Sequence, residues 1–87
     1  MATLTKKFHS DGGHGWLAVK KTEIQMLGIA DKISEYSYQR GGTVYLEEDC
    51  DAPCFIKAAE ARGITVEFSM SPQRDRSPIR SMASYEV

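Results

Sequence analysis

The chain has 87 residues, 41% of them hydrophobic and 26% charged, and a formal net charge of −1. One domain of this size buries only roughly 60–65% of the surface its unfolded form exposes, so the core is thin, and a homodimer or a bound partner is a natural supplement. The charge balance excludes a global pull toward nucleic acid or anionic membrane, no apolar run approaches the roughly 18 residues of a membrane span, and the Met-Ala-Thr-Leu-Thr-Lys-Lys start lacks a signal peptide's apolar centre, so a cytoplasmic protein is expected.

Residues Thr3 to His9 alternate with the period of a half-buried strand, Leu4 and Phe8 on one side and Thr3, Thr5, Lys7 and His9 on the other, with Lys6 out of place on the apolar side. Gly12-Gly13 supplies a two-residue hairpin turn, and an extended pattern resumes from Trp16 to Lys20. That turn sets Asp11 opposite His14, Ser10 opposite Gly15, His9 opposite Trp16 and Phe8 opposite Leu17. Phe8, Leu17 and Val19 then share the core face, and His9, Asp11, His14 and Trp16 share the opposite one.

Lys21 to Ile29 reads as a short helix, with Thr22 and Gln25 at capping-box spacing and Gly28 suited to its end; Ile24, Leu27 and Ile29 should pack on the hairpin. A second hairpin is expected from Ile33 to Glu48. A three-residue loop, Arg40-Gly41-Gly42 with a bulge, puts Tyr36, Tyr38, Val44 and Leu46 on one face and Glu35, Ser37, Gln39, Thr43, Tyr45 and Glu47 on the other; a two-residue Gly41-Gly42 turn separates polar from apolar less well. The acidic run Glu47-Glu48-Asp49-Cys50-Asp51 precedes a helix marked by Pro53 in its first turn and Gly63 beyond its end, with Asp51 as the expected N-cap and Phe55, Ile56, Ala58 and Ala59 as its buried stripe. Ile64, Val66 and Phe68 alternate as a final strand.

The expected architecture is therefore α+β, in the order ββαββαβ, with two helices packed on one face of a largely antiparallel sheet. Residues 1–68 form the compact domain. From residue 69 to 87 the composition turns to Ser, Pro and Arg, and an extended or disordered arm with few buried groups is expected. Cys50 and Cys54 are too few for a disulfide-stapled miniprotein and read as reduced structural cysteines.

Three places can carry chemistry. His9, Asp11 and His14 are the ligand types of a mononuclear metal site, and a histidine beside a carboxylate can act as a general base, which makes a small metal-dependent hydrolase one alternative; capping of the turn by Asp11 and cover of His9 by Trp16 account for the same residues structurally. Glu47, Glu48 and Asp49 can present negative charge to a basic partner, although helix capping and solvation explain them too, and the run lacks the spacing of a calcium loop. Arg74, Arg76 and Arg80, interleaved with serines, can contact phosphates, which makes a nucleic-acid-binding accessory factor another alternative. Tyr36, Tyr38 and Tyr45 with Trp16 can form an aromatic contact surface, with core packing accounting for at least two of them. No phosphate-binding glycine loop and no nucleophile–histidine pairing can be placed, so no catalytic residue and no cofactor are expected.

The strings FHSDGGHGWL and YSYQRGGTVYLEEDCDA resemble a group of small uncharacterised proteins found in bacteriophages and other mobile elements of bacteria, over roughly residues 6 to 68. Those relatives carry proline where Gly12 stands. The resemblance implies no activity. It implies a context, a compact phage-type accessory protein in the cytoplasm of a bacterial host that acts by stoichiometric binding to a host macromolecule, host defence systems included. A host protein is expected as partner before a nucleic acid, bound through His9, Asp11, His14, Trp16 and the acidic run.

Overall fold

The computed structural model describes residues 2–11, 13–71 and 78–87. Strand β1 (Ala2–Ser10) pairs antiparallel with β2 (Gly15–Lys20), Phe8 opposite Leu17, His9 opposite Trp16 and Ser10 opposite Gly15. The Asp11 amide donates to the His14 carbonyl at 3.1 Å, closing the hairpin in the register that a two-residue turn dictates.

Helix α1 (Lys21–Met26) follows without a loop. Its N-cap is Lys20, whose amide donates to Glu23 Oε1 at 2.8 Å, so the reciprocal contact of a capping box runs from Lys20 to Glu23 and not from Thr22 to Gln25 as expected. Glu23 Oε2 also accepts from Lys6 Nζ at 2.6 Å. This explains the lysine on the apolar side of β1: it reaches across the core face to the first turn of α1, where the carboxylate compensates part of its burial. A single 3₁₀ turn (Ala30–Lys32) then leads into an irregular stretch.

The second hairpin departs from expectation in two ways. Strand β3 is only Tyr38–Arg40, and it meets β4 (Thr43–Glu47) through the two-residue turn Gly41-Gly42, with Arg40 opposite Thr43 and Tyr38 opposite Tyr45. Gly41 has φ 60° while Gly42 does not take positive φ, the φ pattern of a type II′ turn with glycine first. Tyr38 therefore lies with Tyr45 on one face and Val44 and Leu46 on the other, which overturns the grouping of Tyr38 with Val44. Tyr36 falls outside the strand and is exposed.

Helix α2 (Asp51–Glu60) ends before Gly63 and delivers β5 (Ile64–Met70), which pairs with β1 in parallel, Leu4 beside Val66 and Phe8 beside Met70. A two-residue strand β6 (Ala83–Ser84) pairs with β3, and the six-stranded sheet has the order β5-β1-β2-β4-β3-β6. Both helices thus lie in crossovers between parallel strands. The β2-α1-β3 link passes over β4, and β4-α2-β5 passes back over β2 and β1. Crossovers of one hand that run in opposite directions along antiparallel strands put their helices on the same face, as the α+β expectation requires.

That face holds the core: Leu17, Val19, Val44 and Leu46 from the strands, Ile24 from α1 and Leu27 capping its end, Phe55 and Ala59 from α2, with Ile29, Ile33 and Tyr85 closing its edge. Ile56 and Ala58 are half-buried. Each fully buried side chain such as Leu17, Ile24 or Phe55 contributes roughly 1.5–3 kcal/mol.

Among the described residues, 69–71 and 78–87 pack against the fold, where a loose arm was expected from residue 69. Strand β5 continues to Met70, a 3₁₀ turn forms over Pro78–Ser81, Ile79 is buried, and Tyr85 is 5% exposed, its hydroxyl donating to the Ala30 carbonyl at 2.7 Å and its amide to the Ser37 carbonyl at 2.8 Å. Arg74 and Arg76 lie outside the described residues. No helix among the described residues is long and apolar enough to cross a membrane.

Candidate binding site

The face of the sheet opposite the helices carries a row of rings. Trp16 is only 2% exposed although it points away from the core; the His14 ring stacks on it at 6.0 Å with an interplanar angle of 15°, and Tyr38 meets it edge-on at 6.3 Å. His9 packs edge-on against Tyr45 at 5.8 Å. The expectation of His9, Asp11, His14 and Trp16 on one outward face agrees with the strand alternation, but Trp16 is the base of that surface and not its exposed tip.

Strand pairing adds what the hairpin alone cannot. Trp16 stands opposite Glu47 in the β2–β4 register, so the aromatic face and the start of the acidic run are neighbours. Together with His14, Glu35, Tyr36, Tyr38, Asp49, Cys50 and Ser84 they line a cleft of about 540 Å³. Glu48 does not join it: its amide donates to the Gly15 carbonyl at 3.1 Å, and its side chain borders a separate groove on the helix-bearing face.

The wall carrying Glu35 and Tyr36 is held by Asp51. Expected as the N-cap of α2, Asp51 is instead its first residue, and its buried carboxylate accepts from the Ser34 amide at 3.1 Å, the Ser34 hydroxyl at 2.7 Å and the Ser37 hydroxyl. Ser37 Oγ in turn accepts from the Glu47 amide at 2.9 Å. A carboxylate inside the fold is tolerated when its oxygens are this fully engaged. The network ties residues 34–37 to the end of β4 and the start of α2, so the two sides of the cleft cannot drift apart independently. Glu47 Oε2 accepts from the Cys50 amide at 2.9 Å, which fixes the acidic side.

Sequence reasoning offered Tyr36 as part of an aromatic contact surface but missed Glu35 as a site residue, because it placed that residue in a strand. The Ser34 and Ser37 hydroxyls, three residues apart in a stretch with a buried acid later in the chain, were the available signal.

Asp11 is buried and its Oδ1 accepts from the His14 amide at 3.2 Å and, more weakly, the Gly13 amide at 3.4 Å, the turn-capping role of an Asx residue. With the His14 ring on Trp16 and the His9 ring on Tyr45, the trio expected as an alternative metal site is not gathered around a common point, and among the described residues no group of three His, Cys, Asp or Glu side chains could hold a metal ion. Cys50 and Cys54 are free thiols. Desolvation, and then the carboxylates of Glu47, Asp51 and Asp49, push the Cys50 thiol above its ordinary value of 9.0, so it is a protonated thiol and a poor nucleophile near neutral pH.

What the cleft offers is the exposed Tyr36 and half-buried Tyr38, whose π systems carry negative electrostatic potential, beside three carboxylates. Both attract a cation and repel phosphate. Comparison with protein-family models, curated proteins and solved structures finds no match to this chain.

Proposed function

We propose that this protein is a non-enzymatic binding protein that takes a cationic side chain of a macromolecular partner into the cleft between His14, Trp16, Tyr36, Tyr38 and the carboxylates of Glu35, Glu47 and Asp49. The observation that carries this reading is the pairing of Trp16 with Glu47, which joins an aromatic surface to an acidic one. An arginine or lysine entering there meets the Tyr36 and Tyr38 rings and the carboxylates at once, the chemistry by which aromatic pockets hold ammonium and guanidinium groups.

The same charge favours a protein partner over a nucleic acid, whose phosphates the carboxylates repel. The resemblance to phage and mobile-element proteins adds the proposal that the partner is a host protein, a component of host defence being one such target, bound stoichiometrically. The hydrolase alternative lacks support because its ligand trio is not gathered, and Arg74 and Arg76 of the nucleic-acid alternative lie outside the described residues.

Trp16 is the only tryptophan, so its emission reports on the cleft. Titration with an oligo-arginine peptide is expected to change Trp16 fluorescence saturably, with an oligo-glutamate peptide doing nothing. Tyr36→Ala and the double reversal Glu35→Lys/Asp49→Lys, all at exposed positions, are expected to weaken the oligo-arginine affinity at least tenfold. Equal binding by the charge-reversed variant would sink the reading.

A further inference from the structure

Among the described residues β5 borders the sheet, with β1 on one side and no strand on the other. The Ser71 amide donates to the Phe8 carbonyl at 2.9 Å. Both backbone polar groups of a strand residue point to the same side, and the side alternates from residue to residue. Ser69, Glu67 and Thr65 therefore turn theirs toward β1, while Met70, Phe68, Val66 and Ile64 turn theirs to the open edge. The side chains of these same four residues lie on the helix-bearing face, where Ile64 and Val66 are half-buried against the core while Phe68 and Met70 are 54% and 66% exposed beside a groove containing Phe8, Pro53 and Ile56. An edge of seven residues with no proline or bulge and two bare apolar side chains is a template for strand addition.

We propose that this edge pairs with the same edge of a second copy of the chain, antiparallel about a two-fold axis through Phe68. In that register Phe68 exchanges both backbone hydrogen bonds with the partner's Phe68, and Val66 does so with the partner's Met70; these are the residues whose N–H and C=O groups point outward. The exposed rings meet at the axis and each Met70 covers the partner's Val66. On the opposite face Glu67 falls across from the partner's Ser69. Lys7 stands beside Ser69 in the β1–β5 register, two strand spacings or roughly 9.6 Å from the partner's Glu67, and the short Ser69 side chain between them leaves the lysine room to reach that carboxylate. Centring the pair on Glu67 would set two carboxylates face to face, which is unfavourable. Hydrogen bonds, apolar surface and charge are thus all self-complementary about one axis, which identifies a second copy as the occupant.

Sedimentation equilibrium of the full chain tests this, together with amide hydrogen exchange at low and high concentration. The expected mass rises from 9.7 kDa toward its double as concentration increases, with exchange at Val66, Phe68 and Met70 slowing in step. Phe68→Glu places two carboxylates on the axis, and Met70→Pro removes an outward N–H without touching a β1–β5 bond; both are expected to keep the wild-type circular dichroism and remain monomeric. Lys7→Glu, on the exposed outer face, is expected to weaken the dimer several-fold and Lys7→Glu/Glu67→Lys to restore it. A wild-type chain that stays monomeric at every concentration overturns the proposal. So does a dimer that survives Phe68→Glu and Met70→Pro, which would place the contact elsewhere, and so does a charge swap that fails to rescue.

Discussion

Gly15 is the position where the first hairpin has no room for a side chain. A Cβ there would overlap the Phe8 ring and come within 3.0 Å of Glu48 Oε2. Gly15→Ala should cost about 1–3 kcal/mol through displacement of that ring, read as a lower urea midpoint with unchanged slope. Asp51 matters for the opposite reason: removing it takes acceptors from groups that are buried and oriented. Asp51→Ala leaves the Ser34 and Ser37 hydroxyls without their partner and should cost about 1–3 kcal/mol for each group left unsatisfied. Because residues 34–37 carry one wall of the cleft, the same variant should also weaken oligo-arginine binding, measured on the folded fraction. Tyr85 gives a pH signature. Burial, and then the charges of Asp31 and Asp51, push its phenol above the ordinary value of 10.0, so the folded state holds the proton more tightly than the unfolded chain. The resulting stabilisation is complete below pH 10 and is lost as pH rises through the folded-state value. Tyr85→Phe, which has no such proton, should show a shallower loss of stability than wild type above pH 10 in an alkaline unfolding series.

At the scale of elements, the two hairpins show why one register was legible and the other was not. In the first, the apolar residues Phe8, Leu17 and Val19 and the polar ones separate cleanly, so turn chemistry and patterning agree. In the second they conflict. The face opposite the helices is itself half-buried by Tyr38, Tyr45 and Trp16, so polarity does not distinguish the two faces there, and the bulged loop that separated polar from apolar best was the wrong one. Local turn chemistry decided instead. Gly41 at φ 60° occupies a conformation costing a non-glycine residue roughly 1–2 kcal/mol, so Gly41→Ala should lower stability by about that amount, whereas Gly42→Ala, with open space around it and no positive φ, should cost less. Strand β3 is short because residues 34–37 are held by Asp51 and by the Tyr85 amide, contacts that no local pattern announces.

The whole molecule depends on long-range pairing at both borders of its sheet. β5 joins β1 at one border of the sheet, and residues 78–87 return to the other, where β6 pairs with β3 and Tyr85 joins the core. Deleting residues 78–87 removes the buried Ile79 and Tyr85 side chains and the hydrogen bonds to Ala30 and Ser37. The truncated chain should be less stable by more than about 3 kcal/mol, a large share of what a domain this small has to spare; full stability after deletion would mean the segment is merely decorative. The tail was misjudged from sequence because its composition is polar on average. Two well-placed side chains are enough to dock a segment when the surface that receives them is already formed.

Residues, spacing and turn chemistry by themselves determined the α+β class, the order of the first seven elements, the register of the first hairpin and the apolar stripe of α2, because each of these rests on periodicity or on backbone conformation within a few neighbouring residues. Histidines, tryptophan and acidic run were visible as separate candidates. Only the tertiary structure brought Trp16 beside Glu47, carried Glu35 and Tyr36 to the same cleft through Asp51, separated the suspected metal ligands, and set β5 parallel to β1 with an open edge. Those outcomes depend on which strands become neighbours after two crossovers, and long-range pairing is chosen by the burial of the whole core, a quantity that no local segment contains.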